Sequence, residues 1–546
     1  MNRSSPRVQS LLALALYAVY GWAVIVHGAS LTHQLSGVGS DPYDSPWFLA
    51  WWPYALTHHL DPFFTRLIWY PYGVSTLWIT SVPLLALLFW PVTALAGPVL
   101  SYNLLIITAP PMAAWFAYLL CRHVTRDFAA ALIGGFLFGF SSYEMGQDMS
   151  ALNLAVIFCV PALLLVVLKR LDDELSRPAA VGWAALLLLA QFLVCIEIFA
   201  MLFVFGAMVW VFAYLYLEPR RAALRRLVGD ALYTAPFVAL PLAPLLVSMA
   251  RHYGLIHHPD AWPYFFTGDL LNVFIPSAVN LFGGPFRAVS AHFNGGPQEQ
   301  DVYLGLPLLL IIWLYARSQG GTPRGRLLVV AFLVMLICSF GPRLWIGGHY
   351  SSITLPWMLV VYLPLLGSAL TVRFAMFTAL ASGIIAASWL ARPGWRAGRY
   401  ALAGLACLAL LPQPHPWRPL PDAGFFAPGR VQAVLGQNPR LLILPFAING
   451  PSSYWHEQNR FGFTEVGGYL GFPPKPAQAY KAVGEMFGNV MEPDFLAEFT
   501  RYAEQNGAQY VVAGPGANAA MVAAIAKLGW PARQVDDVTI FTVPAP

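Results

Sequence analysis

Apolar runs long enough to fill a bilayer recur between residues 10 and 412, and no other feature restricts the fold of this chain as strongly. A helical crossing needs about 20 apolar residues, and within the hydrocarbon its backbone polar groups must be satisfied inside the segment. The runs therefore predict a polytopic α-helical membrane bundle. Composition agrees. Of 546 residues, 58% are hydrophobic and 10% charged, against roughly 25% charged in an ordinary soluble domain. The formal net charge of +5 is spread without a basic tract, so the chain carries no electrostatic footprint for nucleic acid. The implied partner is the lipid bilayer.

Crossings are expected at 10–28, 100–121, 128–142, 151–168, 179–196, 198–217, 229–249, 302–316, 327–341, 372–391 and 400–412, about eleven in all. The first run is too long for the apolar core of a secretory signal and reads as a retained span. Threaded alternately, the spans place Arg3, Arg7, Arg122, Arg126, Lys169, Arg170, Arg177, Arg220, Arg221, Arg225, Arg226, Arg317, Arg324, Arg326, Arg392, Arg396 and Arg399 on one side. Only Arg66, Arg251, Arg287, Arg343 and Arg373 fall opposite. By the positive-inside rule the first side, with the N-terminus, is cytoplasmic, as in a multi-pass protein of a bacterial inner membrane. The threading requires that 79–96, broken by Pro83 and Pro91, does not cross; it reads as re-entrant or interfacial.

The predicted division is a transmembrane domain over 1–412, with external loops 29–78 and 250–303, followed by an extracytoplasmic α/β domain over 413–546. In the first loop, Trp, Tyr and Phe residues suit the headgroup layer and predict short helices along the membrane. Past the proline-rich LPQPHPW, strand-like runs (441–445, 510–513, 538–543) alternate with helix-like ones (494–505, 517–528).

Acidic residues near the outer ends of spans are costly to hold there and are functional candidates. They are Asp41, Asp44, Glu144, Asp148, Glu197, Asp269, Glu299 and Asp301. A carboxylate at Asp41 or Asp44 can take a proton from a hydroxyl acceptor; an Asp-Pro turn explains the same residues without chemistry. Glu144 and Asp148 also suit a helix cap, and Glu197 suits a hairpin tip. The external Arg343 and Arg373 suit a lipid phosphate, or pairing with one of those acids. His58, His59, His257, His258 and His292 lack metal-ligand spacing. Tyr454, Trp455 and His456, in SSYWHEQNRFGFTEVGGYLG, suit sugar stacking or a structured loop. The five cysteines read as core hydrophobes. No cofactor fingerprint is present; external carboxylates can hold a divalent cation, but none can be assigned.

The stretches GSDPYDSPWFLAWWPYAL, DPFFTRLIWYPYGVSTLWITSVPLLAL, GPVLSYNLL, GFLFGFSSYEMGQ, GDLLNVFIPS, DVYLGLPLL and LPWMLVVYLPLLGSALTVRF resemble the bacterial polytopic proteins classed with GT-C glycosyltransferases, over roughly residues 10–390. The resemblance implies an enzyme that transfers a sugar from a polyprenyl-phosphate donor to a glycan, lipid or protein acceptor at the outer face of the membrane. It implies an acid in the first external loop as general base, which Asp41 matches best and Asp44 second. By the same likeness, Arg373, with Arg343, would stabilise the departing phosphate, and the centre would invert. The family's usual His after GQ is replaced here, since the chain reads GQDMSALNL with Asp148 and Met149 at that place. Two other classes remain open: a lipid-linked saccharide flippase, and a non-catalytic envelope-assembly protein on a GT-C-like scaffold.

Overall fold

The computed structural model describes residues 5–79, 81–255, 262–363, 367 and 369–544. Arg3, His257 and His258 lie outside the described residues. The chain forms two compact units. The first comprises 1–29, 104–242 and 259–416; the second comprises 30–103, 243–258 and 417–546. Residues 417–546 thus share their unit with most of the first external loop, and 413–416 fall in the first unit.

Among the described residues, seven helices are long and apolar enough to cross a membrane: Pro6–Ile25, Pro98–Thr125, Leu152–Leu171, Arg177–Val194, Ile196–Tyr216, Glu218–Leu255 and Thr371–Leu390. Phe128–Gly139 and Ser142–Asp148, bent by 45° to each other, make an eighth if taken as one span. The remaining expected crossings are the helices Leu306–Gln319, Pro323–Ser339 and Arg396–Ala409, of 14, 17 and 14 residues. At 1.5 Å per residue they extend about 21–26 Å, short of a hydrocarbon core of about 30 Å. The segment 79–96 forms two short helices, Pro83–Leu88 and Trp90–Ala96, neither long enough to cross.

In the first unit the polar turns start helices where the sequence supplies caps. Asp127 Oδ1 accepts from the amide of Ala130 at 3.0 Å, and Thr322 Oγ1 from that of Gly325 at 3.1 Å. The Asp127 turn and the arginine-bearing turns are joined by ion pairs: His123–Asp172 at 3.0 Å, Arg220–Asp172 at 2.6 Å, Arg170–Asp230 and Arg177–Asp230 at 2.8 Å, and Arg396–Asp127 at 2.7 Å. The arginine-bearing connections therefore gather at one end of the unit. Thr371–Leu390 is almost wholly buried and packs on Phe128–Gly139. A Cβ on Gly134 would lie 2.9 Å from the Gly383 carbonyl oxygen, so the crossing is close because both residues lack one.

The second unit holds a five-stranded sheet: β1 (Arg440–Leu444), β2 (Thr464–Glu465), β3 (Tyr510–Ala513), β4 (Ala532–Val535) and β5 (Val538–Thr542), in the order β4-β5-β3-β1-β2. β1 pairs in parallel with β2 and β3, and β5 runs antiparallel to β3 and β4. The connecting helix Phe495–Gln505 buries Phe499, Tyr502 and Ala503, one face of a 3.6-residue repeat. The expected strands and helices of the C-terminal α/β region all form, and β2 and β4 are additions. The first-loop aromatics behave differently from expectation. Asp41–Thr57 is one 17-residue helix whose Trp47, Trp51 and Trp52 are buried in protein rather than presented to headgroups. It packs on the short helix Ser452–Gln458, where Trp47 Nε1 donates to His456 Nδ1 at 3.0 Å. Burying aromatic area of this size is worth more inside a protein core than at a wet interface.

Candidate functional site

In the second unit, Asp41 and Asp44 stand in the first turn of the Asp41–Thr57 helix, where the backbone amides favour negative charge. Asp44 is buried and its Oδ1 accepts from Ser453 Oγ at 2.8 Å. Asp41 is exposed, and its Oδ1 accepts from the Tyr469 hydroxyl at 3.0 Å. Burial, and then the charge of Asp41, push the Asp44 carboxyl well above the usual carboxylate range, with the Ser453 hydrogen bond opposing. Glu465, the last residue of β2, is 1% exposed, and burial pushes it up to about 8. The unit thus sets an accessible carboxylate beside a buried one that resists ionisation. Sequence reasoning did not single out Glu465, Tyr469 or Ser453.

This arrangement has a pH signature. Both buried carboxyls bind protons more tightly folded than unfolded. Their stabilisation is therefore complete below the unfolded carboxylate range and is lost as pH rises toward the folded value, about 8 for Glu465. The thermal midpoint of the intact protein should fall between pH 5 and pH 9, by an amount on the order of a few kcal/mol in stability. Glu465→Gln should flatten that slope; an unchanged slope in the variant would count against the assignment.

In the first unit, Arg373 is the hub of a second polar group. Its Nη1 lies 2.5 Å from Glu197 Oε2 and its Nη2 2.6 Å from Glu299 Oε1. Gln147 Nε2 donates to Glu299 Oε2 at 3.1 Å and to Asp301 Oδ2 at 2.9 Å. Burial and then the Glu299 charge hold Asp301 well above the ordinary carboxylate range. Glu197 begins its helix while the arginine-bearing turns follow that helix's other end. The two polar groups of this unit are therefore separated by about 28 Å of helix. Arg373 takes the acid pairing weighed from the sequence, with its charge already matched by two carboxylates. Glu144 is fully buried with neither carboxylate oxygen hydrogen-bonded, and Asp148 lies 3.0 Å from His415 Nε2.

Asp269 is a latch. Its Oδ1 accepts from the amides of Leu271 (2.8 Å) and Gly347 (2.9 Å), and its Oδ2 from that of Gly348 (2.7 Å). Gly347 and Gly348 both have positive φ and close the hairpin between Arg343–Ile346 and His349–Thr354, a two-residue turn that glycine suits. Arg343 lies on that hairpin, its guanidinium 5.6 Å from the Tyr350 ring centroid, and its Nε has no hydrogen-bond partner. It makes no ion pair among the described residues. Tyr454, Trp455 and His456 are core residues. Trp455 stacks on Phe426 at 4.8 Å, and Tyr454 donates to Asp422 Oδ1 at 2.7 Å. His456, held down to about 4 by burial, packs among Trp47, Phe461 and Phe463. These faces are taken by protein, so they present no platform to a sugar.

A family model described as "Domain of unknown function (DUF6311)" matches residues 10–413. No curated protein matches by sequence. Solved structures do. The arabinofuranosyltransferase AftD from Mycobacteria aligns with a TM-score of 0.60 at 13% identity, over 100% of this chain and 40% of that one. The archaeal oligosaccharyltransferase AglB from Archaeoglobus fulgidus, in complex with an inhibitory peptide and a dolichol-phosphate, aligns with a TM-score of 0.52 at 14% identity, over 94% of this chain and 70% of that one. The fold described above is therefore like that of these two solved membrane proteins. The chain spans about two fifths of the length of the arabinofuranosyltransferase it matches.

Proposed function

Since the chain belongs to the DUF6311 family, a family defined without an activity, we propose from its fold and its carboxylates that it is a membrane glycosyltransferase. In this reading it moves a sugar from a polyprenyl-phosphate donor to an extracytoplasmic acceptor. The observation that carries the proposal is the GT-C fold over the whole chain, joined to an exposed first-loop carboxylate at the N-terminus of a helix. Asp41 accepts the acceptor's hydroxyl proton as that oxygen attacks the anomeric carbon. The bond from that carbon to the phosphate oxygen breaks, polyprenyl phosphate leaves with the electron pair, and direct displacement inverts the centre. Asp44, set below Asp41 and held by Ser453, keeps a second carboxyl next to the base. Within the first unit, Arg343 suits a phosphate better than Arg373 does, because Glu197 and Glu299 already neutralise Arg373. In this reading the arginine-rich turns face the cytoplasm of a bacterial inner membrane, and the short helix Arg396–Ala409 completes a crossing, so that residues 30–78 and 413–546 lie outside.

Binding of the donor tests the proposal separately from turnover. The purified protein, titrated with polyprenyl phosphate in detergent and followed by native mass spectrometry, should retain one lipid. Arg343→Gln should weaken that retention about tenfold or more, the loss expected for one charge-assisted contact. Equal retention of a neutral polyprenol, or no effect of the variant, would count against a phosphate contact at Arg343.

A further inference from the structure

The chain entering the C-terminal region carries a cation with no carboxylate partner among the described residues. Pro419 biases the preceding Arg418 toward extended backbone, and Trp417–Pro419 pairs antiparallel with Gln34–Ser36, Arg418 lying opposite Leu35. Asn103 anchors the partner strand: its Oδ1 accepts from the Ser36 amide at 3.2 Å, and its Nδ2 donates to the Gln34 carbonyl at 2.8 Å. The pairing delivers Arg418 to the start of the helix that bears Asp41. Its Nη1 donates to the Gly39 carbonyl at 2.7 Å, and its guanidinium lies 4.0 Å from the centroid of the Tyr43 ring. It thus touches the residues two before and two after Asp41. Its Nε and Nη2 are buried and meet no hydrogen-bond acceptor, and it makes no ion pair among the described residues. A shielded guanidinium with two unused donors is costly unless an anion takes them. The Nε–Nη2 edge offers two parallel N–H groups, the arrangement that receives a carboxylate or phosphate in a bidentate manner.

We propose that Arg418 recognises an anionic group on the acceptor, which makes the acceptor an acidic saccharide carrying a carboxylate or a phosphate. This rests on the transferase reading above, with Asp41 as base. In direct displacement the attacking hydroxyl and the departing phosphate lie on opposite sides of the anomeric carbon. The base stands on the hydroxyl's side. Arg418 is held by the backbone that leads into the base, so its ligand belongs to the acceptor and not to the donor's phosphate. Arg418 is half-exposed, and a change of rotamer brings its Nε–Nη2 edge out to a ligand. Its charge also offsets the repulsion between Asp41 and an anionic substrate. A saccharide gripped by its acid group is fixed in orientation, with a hydroxyl presented to Asp41.

Binding tests this without turnover. Glucuronate, glucose 6-phosphate and glucose are each titrated into the purified full-length protein in lipid nanodiscs and followed by ligand-observed NMR. At least one of the two anions should bind about tenfold or more tighter than glucose, the gain expected of charge-assisted hydrogen bonds. The tighter of the two identifies the anionic group. Arg418→Gln should abolish that preference and leave glucose binding unchanged. Arg418→Lys keeps the charge but loses the two-pronged edge, so it should lose about threefold or more of the preference, and it serves alone if the glutamine variant fails to fold. Retention of polyprenyl phosphate should be the same in both variants as in the wild type. Equal binding of charged and neutral sugars by the wild type, a preference undiminished in either variant, or loss of polyprenyl phosphate from them would each overturn the proposal. Absence of sugar transfer with the preference intact would leave this anion site standing and overturn the transferase reading alone.

Discussion

Arg373→Met should cost the protein about 3–5 kcal/mol of stability, the usual penalty for removing one partner of a buried ion pair. The cause is what remains behind. Glu197 and Glu299 flank the guanidinium at 2.5 and 2.6 Å, with Glu299 13% and Glu197 29% exposed in their side chains. Without the cation, two carboxylates share a poorly solvated site, and Asp301, bound through Gln147 to the same Glu299, adds a third. Arg373→Lys should cost less, since it keeps the charge but loses the fork that serves two carboxylates at once. Adding Glu197→Gln and Glu299→Gln to Arg373→Met should recover most of the loss, because the neutral amides need no counter-charge. Thermal unfolding in detergent measures all three. A wild-type midpoint for Arg373→Met would show that the two carboxylates do not depend on this residue.

The second large effect is on rate. Asp41→Asn should lower glycosyl transfer by about 10²–10⁴-fold with the fold intact, the contribution typical of a positioned general base. Asparagine is isosteric, and its carbonyl oxygen can still accept the Tyr469 hydroxyl that now reaches Asp41 at 3.0 Å. Asp44→Asn separates the two acids. Its oxygen can keep the Ser453 hydrogen bond of 2.8 Å, so a smaller loss there would assign the base to Asp41. A larger loss at Asp44 would reverse the assignment. Full activity in both variants would remove the first-loop acids from the mechanism.

Much of this fold is legible in the sequence because lipid imposes a single-segment requirement. Each apolar run must satisfy its own backbone, so run length alone locates helices such as Ile196–Tyr216 and Arg177–Val194. Arginine placement likewise foretells that the turns at 122–127, 169–177, 218–230 and 396 meet at one end, and ion pairs join them there. Run length is a poorer guide where helices are short. Leu306–Gln319, Pro323–Ser339 and Arg396–Ala409 look like spans by composition, yet the first two carry proline within their first two residues, the second also starts at a Thr322 cap, and all three end within 17 residues.

The candidate sites were legible only in halves. Asp41 and Asp44 stand out locally, but the groups that hold them lie 428 and 409 residues away, at Tyr469 and Ser453. Glu465 gains its unusual environment only from the sheet that buries it. Arg373 and the acids that pair with it could all be named from the sequence, but not their pairing across 176 residues to Glu197. Tyr454, Trp455 and His456 mislead for a different reason. Rings with a polar edge suit a sugar and suit a hydrogen-bonded core equally, and burial decides between them.

Turnover tests the account most directly. The purified protein, reconstituted in lipid nanodiscs, is given radiolabelled polyprenyl-phosphate sugars with an envelope glycan fraction, and both labelled product and free polyprenyl phosphate are measured. The account predicts transfer of label with equimolar release of polyprenyl phosphate, reduced at least a hundredfold in the Asp41→Asn, Asp44→Asn double variant. Label that leaves every donor at the same rate with the double variant as with the wild type, or no transfer from any donor by folded, lipid-loaded protein, would contradict it.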